Sequence, residues 1–229
     1  MRSRATMLAV VLGGGCGHVD FDGDPPCPAL FCDGFETGTT SRWSASDVET
    51  EVGATQHVTE AVVHSGQFAL DGVVPPGTVL GMFSAVEERV GVRSSGVLAV
   101  RLWVYSPSPL ATFNGPLLVH DLAQTHQLLV SGNTAGQWDL AEQGGNFDYP
   151  TTIPTAAATW TCIELDYTFG PPATFELDID DAVAATGSAQ DTPAVYDTVD
   201  IGVARSSLPG VEIIVDDAVI SLQPHIGCY

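Results

Sequence analysis

Lysine is absent from this 229-residue chain. Its seven basic residues are all arginine, set against 28 acidic residues, for a formal net charge of −21. A surface of that sign repels phosphate backbones and anionic lipid head groups, so nucleic acid is not an expected partner. It suits cations, cationic peptides and neutral glycans. Several catalytic motifs are also missing: there is no His-Glu-x-x-His, no Gly-x-Ser-x-Gly and no Gly-x-x-x-x-Gly-Lys. Their absence disfavours zinc-peptidase, serine-hydrolase and nucleotide chemistry. The apolar run at residues 7–12 falls far short of the roughly 20 residues that cross a bilayer as a helix. Long helices have little room, because 24 Gly and 15 Pro punctuate the chain. Such residues end helices and mark turns.

What remains is a chain able to build one packed core. Hydrophobic residues make up 45% of the sequence and mean hydropathy is +0.19. The length suits one β domain. Apolar and polar residues alternate between turn signals at 67–74, 79–86, 97–105, 117–122, 127–130, 137–141, 159–169, 174–179, 198–204 and 211–222. A period of two over short runs predicts strands, and many short strands predict an all-β, two-sheet antiparallel sandwich or jelly roll. Asp180–Asp181, between two such runs, predicts a hairpin turn.

Two runs predict the faces that carry chemistry. In 97–105, Val100, Leu102 and Val104 point one way; Arg101, Trp103 and Tyr105 point the other. In 159–169, Ile163, Leu165, Tyr167 and Phe169 share one face, and Trp160, Cys162, Glu164 and Asp166 share the opposite one. Arg101, Trp103 and Tyr105 form a candidate sugar platform, with aromatic faces for pyranose C–H surfaces and a guanidinium for hydroxyls. His120 and Trp138 are expected to join it from neighbouring strands.

The amino terminus reads as an export signal. Arg2 and Arg4 form a basic start, residues 7–12 an apolar run, and Gly13–Gly14–Gly15 lead to Cys16. The small residues before Cys16 resemble a bacterial lipobox, which would place a lipid on Cys16. Gly13 stands where that pattern has an aliphatic residue; ordinary cleavage is the alternative. Residues 17–29 then form an acidic, Pro-rich tether and 30–229 the domain. With five cysteines, lipid on Cys16 leaves four to pair, in any of three connectivities. Cys27–Cys32, stiffened by Pro25, Pro26 and Pro28, and Cys162–Cys228, tying the chain's end to a central strand, are the favoured pairs. No C-x-x-C supports the competing zinc reading.

The phrases Phe31-Cys32-Asp33-Gly34-Phe35-Glu36 with Trp43, His64-Ser65-Gly66-Gln67-Phe68-Ala69-Leu70, residues 100–105, Trp160-Thr161-Cys162-Ile163-Glu164, residues 175–181 and residues 215–221 closing at Ile226-Gly227-Cys228 together resemble concanavalin A-like lectin/glucanase (LamG-like) jelly rolls. With Cys16 added, the chain resembles bacterial surface lipoproteins that carry this domain. The resemblance implies an exported, surface-anchored or secreted module that binds carbohydrate or serves adhesion without catalysis, held at a membrane only through its lipid. The fold also hosts glycoside hydrolases and polysaccharide lyases, for which Glu164 and Asp166 would be the acid pair. The third acid of the usual Glu-x-Asp-x-Glu pattern is missing. A structural envelope protein with no small ligand is the third reading. Pairing of first and last strands, common in such jelly rolls, would bring Asp33, Glu36, Asp216 and Asp217 together as oxygen ligands for a structural calcium. No other cofactor is implied.

Overall fold

The computed structural model describes residues 29–77, 83–143, 147–190, 195–207 and 210–228. The expected export signal and Cys16 and Cys27 lie outside them. Where side chains alternate, the chain is extended, because a strand can then bury one face and leave the other outward. In chain order the strands are β1 Phe31–Asp33, β2 Ala45–Val48, β3 Thr55–Thr59, β4 Ala69–Val74, β5 Ser84–Arg93, β6 Gly96–Tyr105, β7 Gly115–His120 and β8 Gln127–Gly132. They continue as β9 Gln137–Gln143, β10 Phe147–Pro154, β11 Thr161–Phe169, β12 Thr174–Ile179, β13 Ala182–Ser188, β14 Tyr196–Arg205 and β15 Val211–Ser221. A single 3-10 turn, Thr50–Val52, is the only helical element among the described residues.

The strands form two antiparallel sheets. The first has eight strands, ordered β13-β12-β11-β6-β15-β4-β3, with β1 paired to β15; the second has seven, ordered β10-β9-β8-β7-β14-β5-β2. The chain crosses between them repeatedly, and the product is the all-β jelly-roll sandwich that the alternation predicts. Its core is filled by Leu98, Val100, Leu102, Val104, Ile163 and Leu165 from the first sheet and Leu117, Val119, Leu128, Val130, Val199 and Ile201 from the second. Each such side chain contributes about 1.5–3 kcal/mol by leaving water. The sheets approach so closely at Gly72 that a Cβ there would lie 2.6 Å from the Ser84 carbonyl oxygen.

The structure departs from the sequence reading at the sheet edges. The four end strands β2, β3, β10 and β13 match none of the alternating runs. An edge strand covers little core, so its side chains need not alternate; β13 has no fully buried residue and β10 has one. Of the run at 79–86, residues 84–86 open β5, and residues 78–82 lie outside the described set. Asp180 and Asp181 do turn the β12–β13 hairpin, with φ of 51° and 59°. First and last strands do pair, Asp33 lying opposite Ala218.

Candidate functional site

Core burial of Val100, Leu102 and Val104 forces Arg101, Trp103 and Tyr105 onto the outer face of the first sheet. The register sets Cys162 opposite Trp103 and Glu164 opposite Arg101, so five of the expected site residues share that face. The chain then covers them. His64 stacks on Trp103 with ring centroids 3.8 Å apart and planes 14° from parallel. Trp160 packs against both His64 and Tyr105 at 5.6 Å. The loop bearing His64 is gripped by β15, where Asp216 accepts the His64 and Ser65 backbone N–H groups at 2.9 and 3.1 Å. Asp217, in a bulge with φ of 48°, accepts the Ser65 hydroxyl at 2.9 Å and lies 2.7 Å from His64 Nδ1.

The other end of the face is closed by the carboxy-terminal segment. Glu164 accepts the backbone N–H groups of Ile226 and Gly227, one on each oxygen. Asp166 accepts that of His225 at 3.0 Å, and Asp181 that of Cys228 at 2.9 Å. The Cys162–Cys228 disulfide, one of the two expected, locks this segment down. Cys32 is also disulfide-bonded; Cys27, its expected partner, lies outside the described residues. Arg101 is 4% exposed beneath this cover. Burial lowers its pKa, opposed by the charges of Asp217, Glu164, Asp181 and Asp216.

The carboxylates expected to hold calcium divide their work. Both Asp33 oxygens are engaged locally, by the Phe35 N–H at 2.9 Å and the Trp43 indole N–H at 2.8 Å. Glu36 accepts the N–H groups of Gln67 and Phe68 at 2.9 and 3.1 Å. Gly66 is required there: its φ is +64°, and a Cβ would fall 2.1 Å from Glu36 Oε1. Glu36, Asp216 and Asp217 therefore converge on residues 64–68, and Asp33 serves Trp43 instead. The four do not fit a cation as one set.

His120 and Trp138 do not join the Arg101 group, because both belong to the second sheet. Trp138 is 2% exposed within the core. His120 lies on that sheet's outer face, where it opens a site that the sequence reading missed. Its Nδ1 lies 2.8 Å from the Asp121 carbonyl oxygen and its Nε2 3.0 Å from Asp200 Oδ2. A carbonyl only accepts, so Nδ1 carries a hydrogen and a second proton is shared between Nε2 and Asp200. Burial pulls the His120 pKa down, but the Asp200 contact outweighs it and the net shift is upward. Asp200 is raised by burial.

The strand register extends this face sideways. His120 lies between Thr198 of β14 and Gln127 of β8, and Gln127 Oε1 accepts an Arg205 N–H at 2.9 Å. One strand further, Ser131 of β8 is opposite Asp139 of β9. Burial and the nearby Asp148 push the Asp139 pKa up to about 6. Asp139 Oδ1, Asp200 Oδ1 and Ser131 Oγ are buried with no partner among the described residues. Leu118, Leu129, Ala141 and Ala204 form a small buried apolar cluster among them, with Phe83 packed against it. No local motif announces this group; its members come from four strands.

The chain matches no family model and no curated protein. Solved structures do match it. The cellulose-induced protein Cip1 superposes with a TM-score of 0.68 at 17% identity, covering 87% of this chain and 100% of its own. An endo-β-1,4-glucuronan lyase from the fungus Trichoderma reesei gives 0.62 at 12%, over 84% and 95% of the two chains. Domain 4 of AbnA, a GH43 extracellular arabinanase from Geobacillus stearothermophilus solved with arabinotriose, gives 0.55 at 18%, over 84% and 91%. At such identities the likeness establishes the fold alone, a two-sheet jelly-roll β-sandwich.

Proposed function

We propose that this protein is a non-catalytic module that binds a neutral polysaccharide on the outer face of its second sheet. One observation carries the reading: Asp139 Oδ1, Asp200 Oδ1 and Ser131 Oγ are held beside the apolar cluster of Leu118 and Leu129 with no partner among the described residues. An unpaired buried polar atom costs about 1–3 kcal/mol, and a sugar supplies what these atoms lack, hydroxyls that donate and accept beside apolar C–H surface. The net charge of −21 favours a neutral chain over a polyuronate. That the matching structures include a lyase of glucuronan and a domain solved with arabinotriose supports a carbohydrate ligand. The hydrolase or lyase reading on Glu164 and Asp166 gains no support, since both side chains hold the terminal segment. The export signal ending at Cys16 would carry such a module to the cell envelope, lipid-anchored or free, a placement read from the intact mass of the exported chain.

The test is binding of neutral polysaccharides by glycan array and calorimetry. Asp139→Ala is expected to weaken binding at least about tenfold, or about 1.4 kcal/mol, and Trp103→Ala to leave affinity unchanged. Loss of binding in Trp103→Ala alone would move the site back to the first sheet. Silence across all glycans would leave the structural envelope reading.

A further inference from the structure

A second cluster lies at the far side of the first sheet, where nothing in the sugar-binding reading uses it. β11 and β12 pair so that Asp166 is opposite Glu176 and Glu164 opposite Asp178. With Leu165 and Leu177 in the core, alternation places all four acids on the outer face. The terminal segment sets His225 above them. Its ring Nδ1 lies 3.4 Å from Asp166 Oδ2 and 3.7 Å from Glu176 Oε1. Ligand atoms of Glu176, Asp178 and His225 all fall within 4.8 Å of one another. Glu176 and His225 border a cavity of about 480 Å³ whose wall also includes Asp166 and Pro224.

Two features separate this cluster from an ordinary acidic surface. Asp166 is 6% exposed, and its Oδ1 is buried with no partner among the described residues although the side chain lines the cavity. Asp178 Oδ1 is likewise buried without a partner among the described residues. The His225 position is also built rather than incidental. Its backbone N–H is fixed on Asp166, its φ is held at 57°, and the Cys162–Cys228 disulfide anchors the chain three residues on.

We propose that Glu176, Asp178 and His225, with Asp166 as fourth ligand, bind a divalent first-row transition cation of the Zn²⁺ kind. The donor set decides the class of ion. An imidazole with carboxylates suits borderline ions such as Zn²⁺, at metal–ligand distances of about 2.0–2.2 Å. Calcium takes six to eight oxygens instead. The side chains must draw together to reach those distances, and the exposed His225 ring is free to turn. The ion would neutralise the acids and pin the terminal segment to β11 and β12.

The test is calorimetric titration of tag-free, chelator-stripped protein with Zn²⁺, paired with thermal unfolding with and without the ion. One Zn²⁺ per chain and a raised melting temperature are expected. His225→Ala and Asp178→Asn should each weaken binding by about 10–100-fold; His57→Ala, which alters the His57–Asp71 pair elsewhere on the sheet, should not. The proposal is overturned if wild-type protein binds no Zn²⁺, if binding survives both cluster substitutions, or if Ca²⁺ binds wild type and His225→Ala alike.

Discussion

On the first sheet, Glu164 gives both oxygens to backbone N–H groups of Ile226 and Gly227, and the Trp103 ring lies under His64. On the second sheet, Asp139 and Asp200 each keep an oxygen that no described residue meets. Both faces are built the same way, from the outward half of alternating strands. They differ in what the rest of the chain does above them. The first is crossed by a loop and a disulfide-tied terminus, so Glu164, Asp216 and Asp217 work as anchors, while Asp166 and Asp178 each keep one oxygen unmet among the described residues. On the second, Asp139, Asp200 and Ser131 keep atoms that no described residue meets and no described covering segment is anchored on them, and such atoms are where a ligand has something to offer. Residue types alone do not mark a site; unmet hydrogen-bonding capacity does.

The largest test of this contrast is Cys162→Ser, which frees the terminal segment from a closure spanning 66 residues. Loss of a cross-link of that length is expected to cost about 4 kcal/mol in urea unfolding. A loss below about 1 kcal/mol would mean that the carboxylate–backbone bonds hold the segment unaided. Next in size is Trp103→Ala, expected to cost about 2 kcal/mol through the lost His64 and Trp160 packing. A stability change within about 0.5 kcal/mol would show that the loop does not rest on Trp103. The smallest is Asp139→Asn. The Asp139 pKa is raised to about 6 in the fold, against about 3.9 when unfolded. The folded state therefore holds a proton that the unfolded chain releases between those values. The resulting stability is full below about pH 4 and is lost as pH rises through about 6, a change of about 1 kcal/mol after solvent screening. The Asn variant should lack that slope; a slope unchanged from wild type would place the titration elsewhere.

The legible parts of the fold share a cause. β6, β11 and β15 sit in the middle of the first sheet, β7, β8 and β14 in the middle of the second. Each must bury one face, so the alternation is written into the residues. β2, β3, β10 and β13 are edges, where little burial is required and little pattern results. The same logic applied to the site. Alternation put Arg101, Trp103 and Tyr105 on one face of β6 and Glu164 and Asp166 on one face of β11, and the pairing of the two strands joined them. It could not tell which sheet His120 or Trp138 would join, because strand order is settled by pairing across the whole chain. His120 meets Asp200 at a separation of 80 residues.

The sequence by itself determined the class of fold and the outward faces of the central strands, consequences of local periodicity; it favoured the Cys162–Cys228 pair among three connectivities, and the fold made that pair. Only the tertiary structure decided which outward carboxylates anchor a covering segment and which keep an oxygen unmet among the described residues. That outcome depends on where His64 and residues 225–228 land, and contacts made 39 or 62 residues apart in the chain leave no local pattern to read.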